Sequence, residues 1–363
     1  MSSIYIVSDN AKMQKKGDTI QLHSPDGTIT TIFPYKTEQL IIIGSIEITG
    51  AALRLLMRYN LDTIFLGKNG RFNGKLVFQE SKNVFFRQKQ FKLLENTDFR
   101  LQFGKAIVIS KLKNQLTFMQ RIRRKRDKLQ KIENAIINMK DNIGKIEDIN
   151  NLDSLRGHEG IGARYFFSVF KYNIIQDWAN FKGRTMHPPQ DNVNAVLSFL
   201  YTMLFFRVDG LLESEGLDSY VGYFHTIDYG KRSLAFDLME EYRTPVADTL
   251  CCALFNLGIL DKDDFREVVF SSDNVEYPLQ LENQTDNGNL ETLEAYDQKK
   301  GVLLTKNALK KVISQFEKKL LTEVYYPPLN KHISYKRIMR EQINHFKRVI
   351  NGEEINYKPL VTK

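Results

Sequence analysis

The sequence predicts an α+β protein: a small amino-terminal β-sheet domain over residues 1–90, followed by a larger all-α domain over residues 91–363. Three observations carry this reading. Short runs rich in Ile, Val, Tyr, Phe and Thr, punctuated by Gly, Asn, Asp and Pro, fill the chain to about residue 85. From about residue 95, apolar residues recur at helical spacing over long stretches with few breakers. With 363 residues, 42% of them hydrophobic and 26% charged, the chain has the balance of a globular protein of about two domains.

In the first domain, strands are expected at Ile4–Ser8, Thr19–His23, Thr28–Phe33, Gln39–Gly44, Thr63–Leu66 and Lys75–Phe78. Asp26-Gly27 and Asn69-Gly70 are tight hairpin signals, because a primed turn needs positive φ at both central residues. Thr49 is placed to cap a helix over Gly50–Asn60, where Leu53, Leu56 and Met57 recur at helical spacing. Helical periodicity then runs through Phe99–Ile143, Ala163–Lys182, Val193–Leu212, Leu234–Tyr242, Thr244–Leu257 and Thr305–Val324, the last with Thr305 as its cap. The boundary falls within residues 84–95, and the polar, acidic stretch Asp273–Gln298 reads as a surface loop or hairpin.

Lys plus Arg number 52 against 43 Asp plus Glu, a net charge of +9. Such a surplus favours a polyanionic partner, although charge alone fits an ordinary basic protein equally well. The longest apolar run, Leu197–Phe206, is ten residues, half of the ~20 that a membrane span needs, so no membrane is expected. The start of the chain carries no secretory pattern. The only cysteines, Cys251 and Cys252, are adjacent. Together these features predict a reduced, cytoplasmic protein without a thiolate zinc site.

Three stretches carry chemistry: Arg156-Gly157-His158-Glu159-Gly160, His225 within Tyr223-Phe224-His225-Thr226, and Asp237-Leu238-Met239-Glu240-Glu241. They offer carboxylates and one imidazole, a set suited to a divalent metal acting on phosphate. On a helix Asp237 shares a side with both Glu240 and Glu241. Such a pair alone is usually a solvated surface feature. Here Phe236, Tyr242 and the apolar Leu250–Leu257 stretch mark a buried helix, and buried carboxylates need a cation. A lone histidine is more often structural than a ligand; the nearby carboxylates are what single out His225. Glu159 is expected just ahead of a helix beginning at Ile161, between glycines that permit close backbone approach. Arg156 and Arg164 would hold phosphate at that helix start, although a plain capping turn is the simpler reading of this stretch alone. Pro188-Pro189 forms a rigid loop before an Asp191 or Asn192 cap, projecting Arg184 and bringing Asn194 near a site. The basic segment Arg121–Lys131 reads either as a solvated helix face or as a track for a DNA backbone.

In order, Leu155-Arg156-Gly157-His158-Glu159-Gly160, then Pro188-Pro189-x-Asp191-x-x-Asn194-Ala195-x-Leu197-Ser198-Phe199-x-Tyr201, then His225, then Ser233-Leu234-Ala235-x-Asp237-Leu238-Met239-Glu240-Glu241-x-Arg243 closely resemble the CRISPR-associated spacer-acquisition integrase family. The resemblance spans the chain. It implies a β-domain joined to an α-helical catalytic domain, assembled as a homodimer. By motif match Glu159, His225 and Glu240 would ligate Mg²⁺ or Mn²⁺, and Asp237 would be an auxiliary catalytic acid. DNA would be held by Arg156, Arg164, Arg184, Asn194, Lys231, Arg232 and Arg243. The family joins the 3′-hydroxyl ends of a short DNA fragment (the spacer precursor) into a CRISPR repeat array by transesterification, and some members cleave branched DNA. Its usual partner is a small dimeric CRISPR-associated protein that bridges two integrase dimers. A stand-alone metal-dependent DNA endonuclease is the alternative. Two positions depart from the pattern: His158 where a small apolar residue is common, and Thr244 between Arg243 and Pro245.

Overall fold

A computed structural model describes residues 2–68, 70, 72–76, 84–125, 129–185, 188–269 and 300–362. The chain forms two compact units, one from Met1–Glu80 with Arg266–Ile313 and the other from Ser81–Phe265 with Ser314–Lys363. The first unit thus combines the amino-terminal segment with a later one.

The first unit contains strands β1 (Ser2–Val7), β2 (Ala11–Lys16), β3 (Thr19–His23), β4 (Ile29–Ile32), β5 (Thr37–Ile43) and β6 (Ile46–Ile48), helix α1 (Gly50–Arg58), and strands β7 (Asp62–Leu66) and β8 (Phe72–Lys75). One sheet has the order β1-β5-β7-β8, with β1, β5 and β7 parallel and β8 antiparallel to β7. The other has the order β4-β3-β2-β6. Alternate residues of both sheets meet in one core, where Ile6, Leu40 and Ile42 pack with Met13, Ile20 and Leu22 and with Leu55 and Leu56 of α1. Thr49 caps α1 as expected, its side chain accepting from the Ala52 N–H at 3.3 Å.

The Asp26-Gly27 turn differs from expectation. Only Gly27 has positive φ, at 84°. Asp26 instead accepts the Thr28 N–H at 2.9 Å, a side-chain turn within a longer loop. The tight turn is at Gly17, where φ is 59° and Lys16 pairs with Thr19. Asn69 and the end of the strand expected at Lys75–Phe78 lie outside the described residues, as does Asp273–Gln298.

The second unit is mostly helical. It contains α2 (Val84–Glu95), α3 (Thr97–Lys125), α4 (Gln130–Gly144), α5 (Leu152–Phe170), α6 (Asn192–Ser214), α7 (Ser233–Tyr242) and α8 (Thr249–Asn256). Beyond it the chain forms β9 (Phe265–Val269), β10 (Lys300–Leu304), α9 (Lys306–Leu321), the antiparallel hairpin β11 (Glu323–Tyr326) and β12 (Lys331–Ser334), and α10 (Tyr335–Asn351). The amino-terminal β-sheet region followed by a mostly helical domain is as expected; within the latter the short hairpin adds Val324, Tyr325 and Tyr326, β-forming residues too few to register as a strand by periodicity.

Helix α6 runs through the centre of this unit. Asp191 caps it, accepting the Asn194 N–H at 2.8 Å. By length and hydropathy its 23 residues could cross a bilayer, beyond the ten-residue run read from sequence, but 89% of its apolar window is buried within the protein. Helices α7, α8 and α10 pack against it.

Helix α5 begins at Leu152, capped by Asn151, so Glu159 lies two turns inside it and not at its amino terminus. Gly157 and Gly160 have no atoms near where a Cβ would sit. The close approach belongs to Gly162, where a Cβ would collide with Leu112 of α3, and to Gly104 of α3, where it would meet Leu155 at 3.0 Å. These two glycines bring the backbones of α3 and α5 together.

Candidate active site

The α3–α5 crossing places Lys111 of α3 beside Glu159 of α5. The Lys111 ammonium pairs with Glu159 Oε1 and lies 2.7 Å from Glu240 Oε2 on α7. Glu240 is almost wholly buried. Burial opposes its charge, but Arg243, Lys111 and His225 together outweigh that penalty and hold its pKa down to about 2. Burial likewise opposes the charge on Lys111, and Glu159 and Glu240 overcome it, so its pKa is raised.

His225 sits in the loop between α6 and α7. Asp237 builds this loop: its Oδ2 accepts the backbone N–H groups of Tyr223 at 2.7 Å and Phe224 at 3.1 Å. Its Oδ1 accepts the His225 N–H at 2.9 Å and takes Nδ1 at 2.6 Å. Nε2 is thereby turned toward Glu240, 3.9 Å from Oε1. Both oxygens of the fully buried Asp237 are engaged by this loop, so it positions His225. Gly222 lets the loop lie against α7, since a Cβ there would stand 2.6 Å from the Ser233 carbonyl carbon and 2.8 Å from Leu234 N.

Glu241 points elsewhere. It accepts Tyr357 OH at 2.6 Å, Gln342 Nε2 at 2.9 Å and the Leu360 N–H. Burial raises its pKa to about 7 against the pull of those donors. Asn114 of α3 reinforces the arrangement by donating to the carbonyls of Glu241 and Leu360 at 3.1 and 3.0 Å. Glu241 thus anchors α7 to the segment Tyr357–Leu360.

A π-helical turn, Arg243–Asp248, follows α7 and absorbs Pro245, which has no N–H for the ordinary helical ladder. Arg243 at its start reaches back to Glu240, Nη2 to Oε1 at 3.2 Å. Its guanidinium lies over Tyr201 of α6, 4.7 Å from the ring centre, and that of Arg184 lies 5.3 Å from the same ring. Tyr201 is fixed by donating to Asp248 Oδ1 at 2.6 Å, and Thr244 donates to Oδ2 at 2.9 Å. Burial raises the Asp248 pKa to about 6, partly offset by these two donors.

The expected DNA contacts divide. Arg243 and Arg184 gather at Tyr201 beside Glu240. Arg164 is exposed on α5. Arg156 donates to the Phe224 carbonyl at 3.0 Å and so steadies the His225 loop. Lys231 lies 5.9 Å from the Phe236 ring centre, and burial lowers its pKa. Arg232 is engaged with Asp209 at 2.5 Å and Glu213 at 2.7 Å. Asn194 is fully buried, donating to the Gly183 carbonyl at 2.8 Å and to Asp191 Oδ2 at 2.6 Å while accepting from Arg184 at 3.1 Å. These contacts brace the loop before α6. His187 lies outside the described residues.

Sequence reasoning missed Lys111, although the apolar Ile107, Val108 and Leu112 around it mark a buried stretch of α3 in which a lysine needs acidic partners. It also missed the Tyr201–Asp248 pair, although the i, i+4 spacing of Thr244 and Asp248 on an apolar segment marks a buried acid needing donors.

Among the described residues, no group of three or more His, Cys, Asp or Glu side chains stands in metal-holding geometry. The ammonium of Lys111 occupies the space between the two glutamates. The donor types nevertheless suit a divalent ion: two carboxylate oxygens from different helices already converge on one cation, and an imidazole held through Nδ1 leaves Nε2 3.9 Å from the other oxygen of Glu240.

The family described as CRISPR associated protein Cas1 matches residues 4–271 of this chain. The CRISPR-associated endonuclease Cas1 3 of Thermus thermophilus is 27% identical over 363 residues, covering 99% of this chain and 97% of that protein. Among solved structures, a casposase bound to integration product superposes with a TM-score of 0.80 at 18% identity, over 100% of this chain and 95% of that one. A chain of a Cas6-RT-Cas1–Cas2 complex gives 0.81 at 20% identity, over 100% of this chain and 36% of that one. These two share the fold. The protein described here belongs to the CRISPR-associated Cas1 family.

Proposed function

We propose that this protein is a CRISPR adaptation integrase: a metal-dependent enzyme that joins DNA 3′-hydroxyl ends into a repeat array by transesterification. The observation that carries the reading is the convergence of Glu159 and Glu240, from two helices, on the Lys111 ammonium, with Arg243 and His225 Nε2 beside the other oxygen of Glu240. Glu159, Glu240 and Nε2 of His225 would hold Mg²⁺ or Mn²⁺. Bound there, the ion supplies Lewis acidity toward a phosphodiester oxygen and lowers the pKa of a hydroxyl.

The remaining steps belong to the chain's own residues. Asp237 keeps His225 in the tautomer protonated at Nδ1, so that Nε2 is free to coordinate. Arg243 and Arg184, stacked on Tyr201, present fixed positive charge to a DNA backbone phosphate without a large ordering cost at the moment of reaction. Backbone contacts of this kind position DNA, while the choice of insertion site would rest on DNA shape and partners. The assembly we infer is a homodimer bridged by Cas2. The Cas1–Cas2 complex among the structures of this fold supports that partner, and the name of the casposase structure supports integration chemistry.

The test offers duplex DNA with free 3′-hydroxyls and a supercoiled target. Joined products are expected with Mg²⁺ or Mn²⁺ and none after chelation. Fragments without joined products would favour a stand-alone endonuclease, the activity named for the Thermus relative. Glu240→Ala should abolish joining and leave DNA binding intact; full activity of that variant overturns the ligand assignment.

A further inference from the structure

We propose that Lys111 is a resident counter-cation: its ammonium holds the position between Glu159 and Glu240 that a divalent ion takes, and metal loading displaces it. The inference rests on the metal-dependent reading above and adds to it a residue with a defined task in the metal-free protein.

The geometry supports displacement in three ways. First, the ammonium touches both carboxylates at once, one from α5 and one from α7. Second, Glu240 Oε2, although 2.7 Å from the ammonium, receives no well-directed hydrogen bond. The contact is one of charge, which another cation can replace. Third, a lysine is a compact charge on a flexible four-carbon stem. One turn along α3, on the same face, the buried Gln115 keeps an Oε1 without a hydrogen-bond partner among the described residues, an acceptor for the departing ammonium.

Removing Lys111 should therefore have opposite effects on two measurements. In chelator, Lys111→Met takes the cation from Glu159 and leaves Glu240 to Arg243 and His225 alone, so the variant melts at lower temperature than the unaltered protein. Toward Mn²⁺ it binds more tightly, because no ammonium has to leave; an increase of about tenfold or more is expected from one unit charge removed at contact distance. Its melting temperature then rises further on Mn²⁺ addition than that of the unaltered protein. A residue with only a packing role would lower stability without tightening metal binding.

The experiment titrates Mn²⁺ by electron paramagnetic resonance into the full-length unaltered protein, Lys111→Met and Glu240→Ala, with thermal melts in chelator and in Mn²⁺. Tighter binding by Lys111→Met, with binding lost in Glu240→Ala, supports the proposal. Glu240-dependent binding by the unaltered protein, with equal or weaker binding by Lys111→Met, overturns the role of Lys111 and leaves the metal site standing. Absence of Mn²⁺ binding by the unaltered protein removes the metal reading and this proposal with it. If Lys111→Met does not fold in either buffer, a crystal of the unaltered protein soaked in Mn²⁺ decides. Loss of the Nζ contact to either glutamate supports displacement, and retention of both contacts refutes it.

Discussion

Asp237 Oδ1 takes both the backbone N–H of His225, at 2.9 Å, and its ring Nδ1, at 2.6 Å, so one oxygen fixes the position and the rotation of the imidazole together. Its other oxygen accepts two further backbone N–H groups of the same loop. Asp237→Asn should therefore be disruptive despite its size. Whichever way the amide turns, its NH₂ faces donors, leaving buried N–H groups unpaired at a cost of about 2 kcal/mol or more. Strand joining should fall roughly 10- to 100-fold, as for other partners that orient a metal-binding histidine. Urea unfolding and a joining assay on the same preparation check both figures.

Gly222→Ala should act on the same loop from the opposite side. The new Cβ would press on the backbone of Ser233 and Leu234, which cannot move without shifting α7. A loss of stability of about 1–3 kcal/mol is expected, with a fall in activity larger than for an alanine at the uncrowded Gly230. Thermal melting of the two variants makes the comparison.

Arg243→Lys keeps the charge beside Glu240 but loses the planar group that lies over Tyr201. Joining should drop about tenfold or more with little change in melting temperature, because a lysine cannot stack and present a fork at once. Equal activity of the two proteins would show that stacking on Tyr201 is irrelevant to the site.

Glu241 gives a pH dependence. Its pKa is near 7 in the folded chain against an ordinary 4.5. As pH rises through that window the unfolded chain releases the proton while the folded chain keeps it, so stability declines, by at most roughly 1.4 kcal/mol per pH unit from this group. Below 4.5 and above 7 the group adds no slope. Asp248, raised to about 6, contributes in the same direction. Glu241→Gln should remove its own share, leaving a shallower decline between pH 4.5 and 7 in denaturant titrations.

The residues proposed as metal ligands were legible because each lies in a short motif whose residue types have few other uses. Glu159 was found for the wrong reason: the expected helix start was drawn from Gly157 and Gly160, whereas Gly162 makes the close contact. Glu240 and Glu241 could not be told apart by spacing, since both follow Asp237 on one side of α7; only the packing of Tyr357 and Gln342 separates them. Lys111 was missed because its partners are 48 and more residues away along the chain. Strand β2 escaped notice because Ala11–Lys16 alternates Ala, Met and Lys without β-branched residues, its pairing being decided by β3 and β6.

Helix α6 has a consequence for how the protein is made. Ribosomes release it well before α7, α8 and α10, the helices that cover it. Until synthesis passes Asn256 the nascent polypeptide carries a 23-residue greasy rod without α7 and α8 to cover it, and until Asn351 the side against α10 stays open. Chaperone demand, and losses to inclusion bodies when translation stalls, should therefore concentrate before those helices emerge.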